Sequence, residues 1–211
     1  MPDLNQLKDA ILRGDAKSAI AVTKEAIAEK VDPLELVTQY MVPAMDEVGR
    51  RFECQEYFVP ELLIAARAMK GALELIRPLL AAKGVVSTGT VVIGTVRGDL
   101  HDIGKNLVAS MLEGAGFDVY DLGTDVTPQK FLTEAKAKKA QIIALSALLT
   151  TTMTSMKTII EEFKAQGVRD QFKFIIGGAP VTQEYATQIG ADGYSENANG
   201  AVALARKLIV A

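Results

Sequence analysis

Histidine and cysteine occur once each in this chain, and neither sign of charge dominates it. A lone cysteine, Cys54, excludes an internal disulfide and any cysteine-rich zinc or iron–sulfur centre. It fits a reducing compartment and reads as a packing residue. With 23 Lys+Arg against 26 Asp+Glu and a formal net charge of -3 there is no basic excess. No Lys/Arg block stands out either, so the footprint of a protein that grips a nucleic-acid backbone is missing. No run reaches the roughly 18 apolar residues of a membrane span, and the opening MPDLNQLKDA alternates polar and apolar where a signal peptide is continuously apolar. The expectation is a cytoplasmic protein without nucleic-acid or membrane partners.

What is present is enough apolar sequence, 49% of 211 residues, to bury a full core in an ordinary domain and a smaller one. From Leu4 to Leu80 the apolar positions recur at helical spacing with no β-branched run between turn residues, which predicts a helical bundle. Asp32, Pro33 and Glu35 mark a helix start, Gly49 to Tyr57 reads as an interruption, Pro60 and Glu61 open another helix, and Pro78 marks an end or a kink. Beyond the glycine-bearing stretch before Thr90 the pattern changes to short apolar runs alternating with amphipathic helices. The runs are Thr90 to Val96, Phe117 to Leu122, Ile142 to Ser146, Phe172 to Ile176 and a weak one at Asp192 to Tyr194. Nearly all-apolar first, third and fourth strands imply a parallel sheet covered on both faces, a doubly wound α/β domain. The expected organisation is therefore α/β, with a helical unit over residues 1–83, a linker over 84–89 and a five-stranded parallel α/β domain over 90–211. Ligands of such sheets bind at the carboxyl ends of the strands. That singles out the loops Arg97 to Ile103, Ala147 to Thr151 and Gly177 to Pro180.

His101 falls in the first of these loops, within Gly98-Asp-Leu-His-Asp-Ile-Gly104. A solitary histidine is ordinarily a surface or core residue, but an Asp two residues earlier can accept a hydrogen bond from one ring nitrogen and leave the other lone pair for a metal. Asp99 is the candidate for that role. Asp102 is the alternative, and it also suits the start of the following helix. One protein nitrogen cannot hold a free divalent ion, which needs three or four ligands, and no second histidine is present. The metal must arrive already ligated. A cobalt corrin brings four equatorial nitrogens and needs only an axial donor.

Here the sequence resembles the corrinoid-binding proteins, among them the cobalamin-binding region of methionine synthase and the corrinoid subunits of methanol, methylamine and aromatic methyl-ether methyltransferases. The family pattern Asp-x-His-x-x-Gly, Ser-x-Leu, Gly-Gly appears in order as Asp99-x-His101-x-x-Gly104, Ser146-x-Leu148 and Gly177-Gly178. The resemblance implies a Rossmann-like, flavodoxin-type domain that binds cobalamin or a related corrinoid base-off/His-on, with His101 on cobalt. It implies a deep slot for the displaced nucleotide tail, bordered by Gly98, Leu100, Asp102, Gly104, Ser146, Leu148, Gly177 and Gly178. Ser146 matches the residue that hydrogen-bonds the tail, Thr150 a second polar contact, and Thr152 the hydroxyl of a hydroxyl–Asp99–His101 relay. Thr150 and Thr152 also suit simple helix capping. Ala198 aligns with a further backbone contact to the tail.

The helical half extends the resemblance. Met45-Asp-Glu-Val48-Gly49-Arg-Arg-Phe52, then Tyr57-Phe-Val-Pro60-Glu61-Leu62 and Met69, look like the family's cap over the methyl face of the corrin, where Phe52 and Val59 match the contact positions; both also read as bundle core. The implied function is a methyl carrier that accepts a methyl group on cobalt from a substrate-specific methyltransferase and passes it to a second, tetrahydrofolate- or thiol-directed one. Such a carrier is served by a reductive activase and is a subunit of a multi-component enzyme. It is not a complete catalyst and has no catalytic acid or base of its own. The alternative is a B12-dependent sensor, which shares both folds.

Overall fold

The computed structural model describes residues 3–83 and 87–210. Part of the expected linker, residues 84–86, lies outside them. The chain divides into two compact units, Met1–Ser87 with Glu113–Gly116, and Thr88–Leu112 with Phe117–Ala211.

The first unit is helical. Helices α1 (Asn5–Leu12) and α2 (Ala16–Ala28) are joined by a turn at Gly14, whose φ of 71° favours glycine. Asp15 caps α2 by accepting the Ser18 N–H at 3.0 Å. Asp32 accepts the Leu34 N–H at 3.1 Å and Pro33 opens the short α3 (Pro33–Glu35). The chain then widens into a π-helical turn, Leu36–Met41, before α4 (Val42–Glu53). Pro43 explains the widening. A proline ring inside a helix clashes with the carbonyl four residues back, and a looser turn ahead of it relieves the clash. Helix α4 continues through the buried Gly49 to Glu53, so the interruption expected from Gly49 is confined to the residues after α4. The last helix of the unit, α5 (Val59–Ala82), runs past Pro78 without ending there. Proline removes one hydrogen bond, and a 24-residue helix anchored by buried Leu62, Met69, Leu73 and Ile76 withstands that loss. These side chains share the core with Leu7, Ile11, Leu36, Met41 and Val48.

The second unit is α/β. Strands β1 (Thr90–Thr95), β2 (Asp118–Asp121), β3 (Ile142–Ser146), β4 (Lys173–Gly177) and β5 (Gly193–Tyr194) form one sheet in the order β2-β1-β3-β4-β5. All its pairings are parallel. Helices α6 (Ile103–Gly114), α7 (Pro128–Ala137), α8 (Thr150–Ala165), α9 (Gln183–Ile189) and α10 (Ala198–Val210) connect and follow the strands. Val91, Val92, Ile93, Ile142, Ile143, Leu145, Phe174 and Ile176 are all buried, as strands covered on both faces must be. Phe163 of α8 meets Phe172 and Phe174 edge-on at centroid distances of 5.3 and 5.0 Å, which ties that helix to β4. In this order the strand sequence reverses direction between β1 and β3, and the crevice outside their carboxyl ends is where such sheets bind ligands.

Candidate functional site

The sheet register brings three positions of interest into one row. Thr95 pairs with Ser146, and Ser146 with Gly177, at the carboxyl edge of β1, β3 and β4. The loop that leaves β1 turns at Gly98, whose φ is 84°, and delivers Asp99 into the space between β1 and β3. Asp99 is 1% exposed, and burying a carboxylate is tolerated only when its lone pairs are filled. Here they are. Oδ2 accepts the Thr152 hydroxyl at 2.7 Å and the Leu148 N–H at 2.8 Å. Oδ1 lies 3.0 Å from His101 Nδ1 and accepts the His101 backbone N–H at 3.1 Å. Two oxygens thus receive four hydrogen bonds, about the full capacity of a carboxylate.

Burial alone would push the Asp99 carboxyl up. The hydrogen bonds from Thr152, Leu148 and His101 together outweigh it and hold the group well below the usual carboxylate range. An ionised carboxylate only accepts, so Nδ1 of His101 must carry the proton it shares with Asp99. In the neutral ring the lone pair then sits on Nε2. The His101 side chain is 56% exposed while that of Asp99 is fully enclosed, so the free nitrogen belongs to the accessible half of the pair. This is the arrangement by which an outer carboxylate orients a metal-binding imidazole.

Other residues singled out by the sequence divide by role. Asp102 accepts the Asn106 side-chain amide at 3.1 Å and its carbonyl accepts the Asn106 N–H at 2.7 Å, so its contacts serve the start of α6. Thr152 is buried against Asp99, whereas Thr150 is an exposed first residue of α8. Gly178 has φ 129°, and a Cβ there would stand 1.8 Å from the Ala147 carbonyl oxygen. Glycine is therefore demanded by the neighbouring loop's own backbone as well as by any ligand that passes it. At Gly177 a Cβ would meet the Ser195 carbonyl oxygen at 3.1 Å, whereas at Gly104 it would meet nothing within 4 Å. Ala198 is the buried first residue of α10. In the helical unit Phe52 is half-buried near the end of α4 and Val59 is exposed at the start of α5.

Sequence reasoning missed the residues that hold the loop from outside its motif. Thr95, fully buried at the end of β1, donates its hydroxyl to the His101 carbonyl at 2.8 Å. Ser155 donates to the Arg97 carbonyl at 3.1 Å. Lys105 is buried with Nζ bonded to Asp121 and, at 2.6 Å, to Asn106, which ties α6 to the end of β2. The signal for Thr95 was a hydroxyl closing an otherwise apolar strand. A buried hydroxyl needs a partner, and the loop that follows supplies one.

A doubly wound sheet whose switch-point loop presents an imidazole backed by a buried carboxylate defines a cofactor-binding α/β protein. The comparisons make the class specific. Residues 89–203 match the B12 binding domain family, and residues 3–77 match a second family with the same description. The chain is 48% identical over 205 residues to trimethylamine corrinoid protein 1 of Methanosarcina acetivorans, covering 96% of this chain and 95% of that one. It is 42% identical over 207 residues to the dimethylamine corrinoid protein of Methanosarcina barkeri, covering 98% and 97%. Among solved structures it superposes on the methanol:cobalamin methyltransferase complex of Methanosarcina barkeri with a TM-score of 0.87 at 30% identity, covering 99% of this chain and 80% of that one. A cobalamin-binding protein from Desulfitobacterium hafniense gives 0.81 at 33% identity, covering 99% of each. The chain belongs to this family: it is a B12-binding corrinoid protein of the methyltransferase type.

The residues present fit such a group. Among the described residues no three His, Cys, Asp or Glu side chains are grouped to hold a bare metal ion. A single accessible imidazole suits a metal that brings its own equatorial ligands. Beside it, Leu100 and Ile103 are 74% and 81% exposed, and Leu148 and Leu149 on the adjoining loop are also exposed. Uncovered apolar side chains on two neighbouring loops are what a broad, largely apolar ring requires. Among the described residues no helix is long and apolar enough to cross a membrane.

Proposed function

We propose that the chain carries a methyl group on a bound corrinoid, with His101 as the residue that would hold its cobalt in the base-off/His-on form. The observation that carries this reading is the buried Asp99 carboxylate, which accepts from His101 Nδ1 and leaves the Nε2 lone pair to a ring whose side chain is 56% exposed. When bound, the cobalt corrin supplies a nucleophilic centre that takes up a methyl group and releases it again. Everything else is done by the polypeptide.

His101 Nε2 would be the atom that holds the cobalt, and the Asp99 carboxylate would strengthen its donation. The same carboxylate would stabilise an imidazolium wherever Nε2 holds a proton in place of the metal. Thr152 and the Leu148 N–H keep Asp99 charged and stationary throughout. Ser146, Gly177, Gly178 and Ala198 receive the displaced nucleotide tail, and Gly98, Leu100, Asp102, Gly104, Leu148 and Thr150 border the bound group. Residues 1–83 act as the cap, to which Phe52 and Val59 contribute cofactor contacts. Residues 84–89 link it to the corrinoid-binding domain, 90–211.

The partners are a methyltransferase specific for the methyl donor, a second methyltransferase directed to tetrahydrofolate or a thiol, and a reductive activase. The named relatives favour a methylamine as donor. The cytoplasm is the compartment that fits these partners.

Because His101 is the only histidine, labelling the protein with ¹⁵N-histidine labels one ring. After reconstitution with cobalamin and reduction to cobalt(II), the electron paramagnetic resonance spectrum should show splitting by one axial nitrogen that changes from ¹⁴N to ¹⁵N with the label. His101→Ala should lose it. A splitting indifferent to the label, or retained in His101→Ala, overturns the assignment.

A further inference from the structure

We infer that Asp125, on the loop after β2, is a positioning residue for the Asp99–His101 pair. This rests on the reading of His101 as the metal-binding imidazole.

The Asp125 carboxylate accepts the Gly98 N–H at 2.7 Å, and its own backbone N–H donates to the Asp99 carbonyl at 3.0 Å. One residue therefore grips the Gly98–Asp99 segment from both sides. The grip matters because Gly98 adopts a φ of 84°, which glycine reaches readily but does not prefer over its other conformations. Asp125 supplies the partner of both the Gly98 N–H and the Asp99 carbonyl. The main chain on either side is held separately, the Arg97 carbonyl by Ser155 and the His101 carbonyl by Thr95, while the Asp99 N–H turns back to the Val96 carbonyl at 3.1 Å.

Asp125 is itself left-handed, with φ 53°, a conformation that Asp and Asn tolerate better than other side chains. Its neighbour Val126 is fixed to β1, where its N–H donates to the Thr95 carbonyl at 3.0 Å and Val96 pairs with it in parallel. Asp125 is thus anchored to the sheet, exposed, and bonded to the left-handed glycine of the His101 loop.

The test uses the full-length protein without corrinoid, so that it stands apart from whether a corrinoid binds. The variants are Asp125→Gly, which keeps the left-handed backbone and removes the acceptor, and Asp125→Asn, which keeps both. With ¹⁵N-histidine and at alkaline pH, the ring shifts report which nitrogen carries the proton. Wild type should show the Nδ1–H tautomer held by Asp99, and Asp125→Asn should match it. Asp125→Gly should fold and show a several-fold lower ratio of Nδ1–H to Nε2–H. After loading with cobalamin it should also show a weakened or heterogeneous axial-nitrogen splitting. An Asp125→Gly protein with the wild-type tautomer ratio overturns the inference. So does one that fails to fold while Asp125→Asn folds, because Asp125 would then be a folding residue.

Discussion

Oδ1 of Asp99 lies 3.0 Å from His101 Nδ1 and accepts the backbone N–H of the same residue at 3.1 Å. A single oxygen therefore holds both the ring and the main chain of His101. The imidazole cannot rotate about its side-chain bonds without breaking one contact, nor shift its backbone without breaking the other. The second oxygen is fixed to the α8 side of the crevice, so the orientation of the ring is referred to β1 and β3 together.

Thr152 tests how much of this depends on the second oxygen. Its hydroxyl lies 2.7 Å from Asp99 and 3.0 Å from the Leu149 carbonyl, and with one proton to give it favours the charged acceptor. Thr152→Val keeps the shape and removes the donor, leaving Oδ2 with only the Leu148 N–H. Denaturant unfolding should show a loss of about 1–3 kcal/mol, whereas Thr150→Val, altering an exposed hydroxyl, should change stability by less than about 0.5 kcal/mol. Equal effects of the two variants would show that Asp99 does not rely on Thr152.

The glycines of the motif separate by the same kind of argument. Gly178→Ala places a Cβ against the Ala147 carbonyl oxygen at a left-handed φ, which forces the β3 and β4 loops apart. It should cost about 3 kcal/mol or more, or prevent folding. Gly104→Ala meets open space within α6 and should raise stability by about 0.4–1 kcal/mol. If Gly104 is retained for a ligand, that gain comes with weaker cobalamin binding in a spectroscopic titration. A stabilised variant with undiminished binding would remove Gly104 from the site.

The architecture and the centre of the site were legible because both rest on local patterns. Alternating apolar runs and helices gave the parallel sheet, and the sheet gave the edge on which His101 lies. Asp99 was legible because two residues' spacing suffices to bring a carboxylate to an imidazole. The supports were not. Asp125 and Ser155 reach the loop from the loop after β2 and from α8, contacts that depend on strand order, while Thr95 closes β1 and bonds back to the loop it feeds. For Thr152 the resemblance offered the bond to Asp99 and its place in the sequence offered helix capping; as the third residue of α8 it is buried and bonded to Asp99. In the helical unit α4 continues through Gly49, the break falling only after Glu53, and α5 continues through Pro78, which therefore does not end it.

Asp99 also governs how the protein responds to acid. Its folded-state carboxyl is held below the ordinary value of about 3.9, so the unfolded chain takes up its proton first as pH falls. The stability it contributes is fully present above the unfolded value and disappears as pH drops through the folded one. Asp15, Asp32 and Glu47 are depressed too, Glu47 to about 2 by hydrogen bonds from Arg50 and Arg51. They lie elsewhere and cancel when two variants that differ only at Asp99 are compared. Working in a His101→Ala background removes the imidazole's own titration while leaving the bonds from Thr152 and Leu148. There, Asp99→Asn should be less stable by about 1–3 kcal/mol at neutral pH. The difference should hold steady down to about pH 5 and close only below about pH 4, as the carboxylate of the parent is finally protonated. Equilibrium unfolding of both proteins across that range makes the measurement. A gap that already closes between neutrality and pH 5 would mean that the carboxyl is not held in its ionised form, and the assignment of the Nδ1 proton to His101 would fall with it.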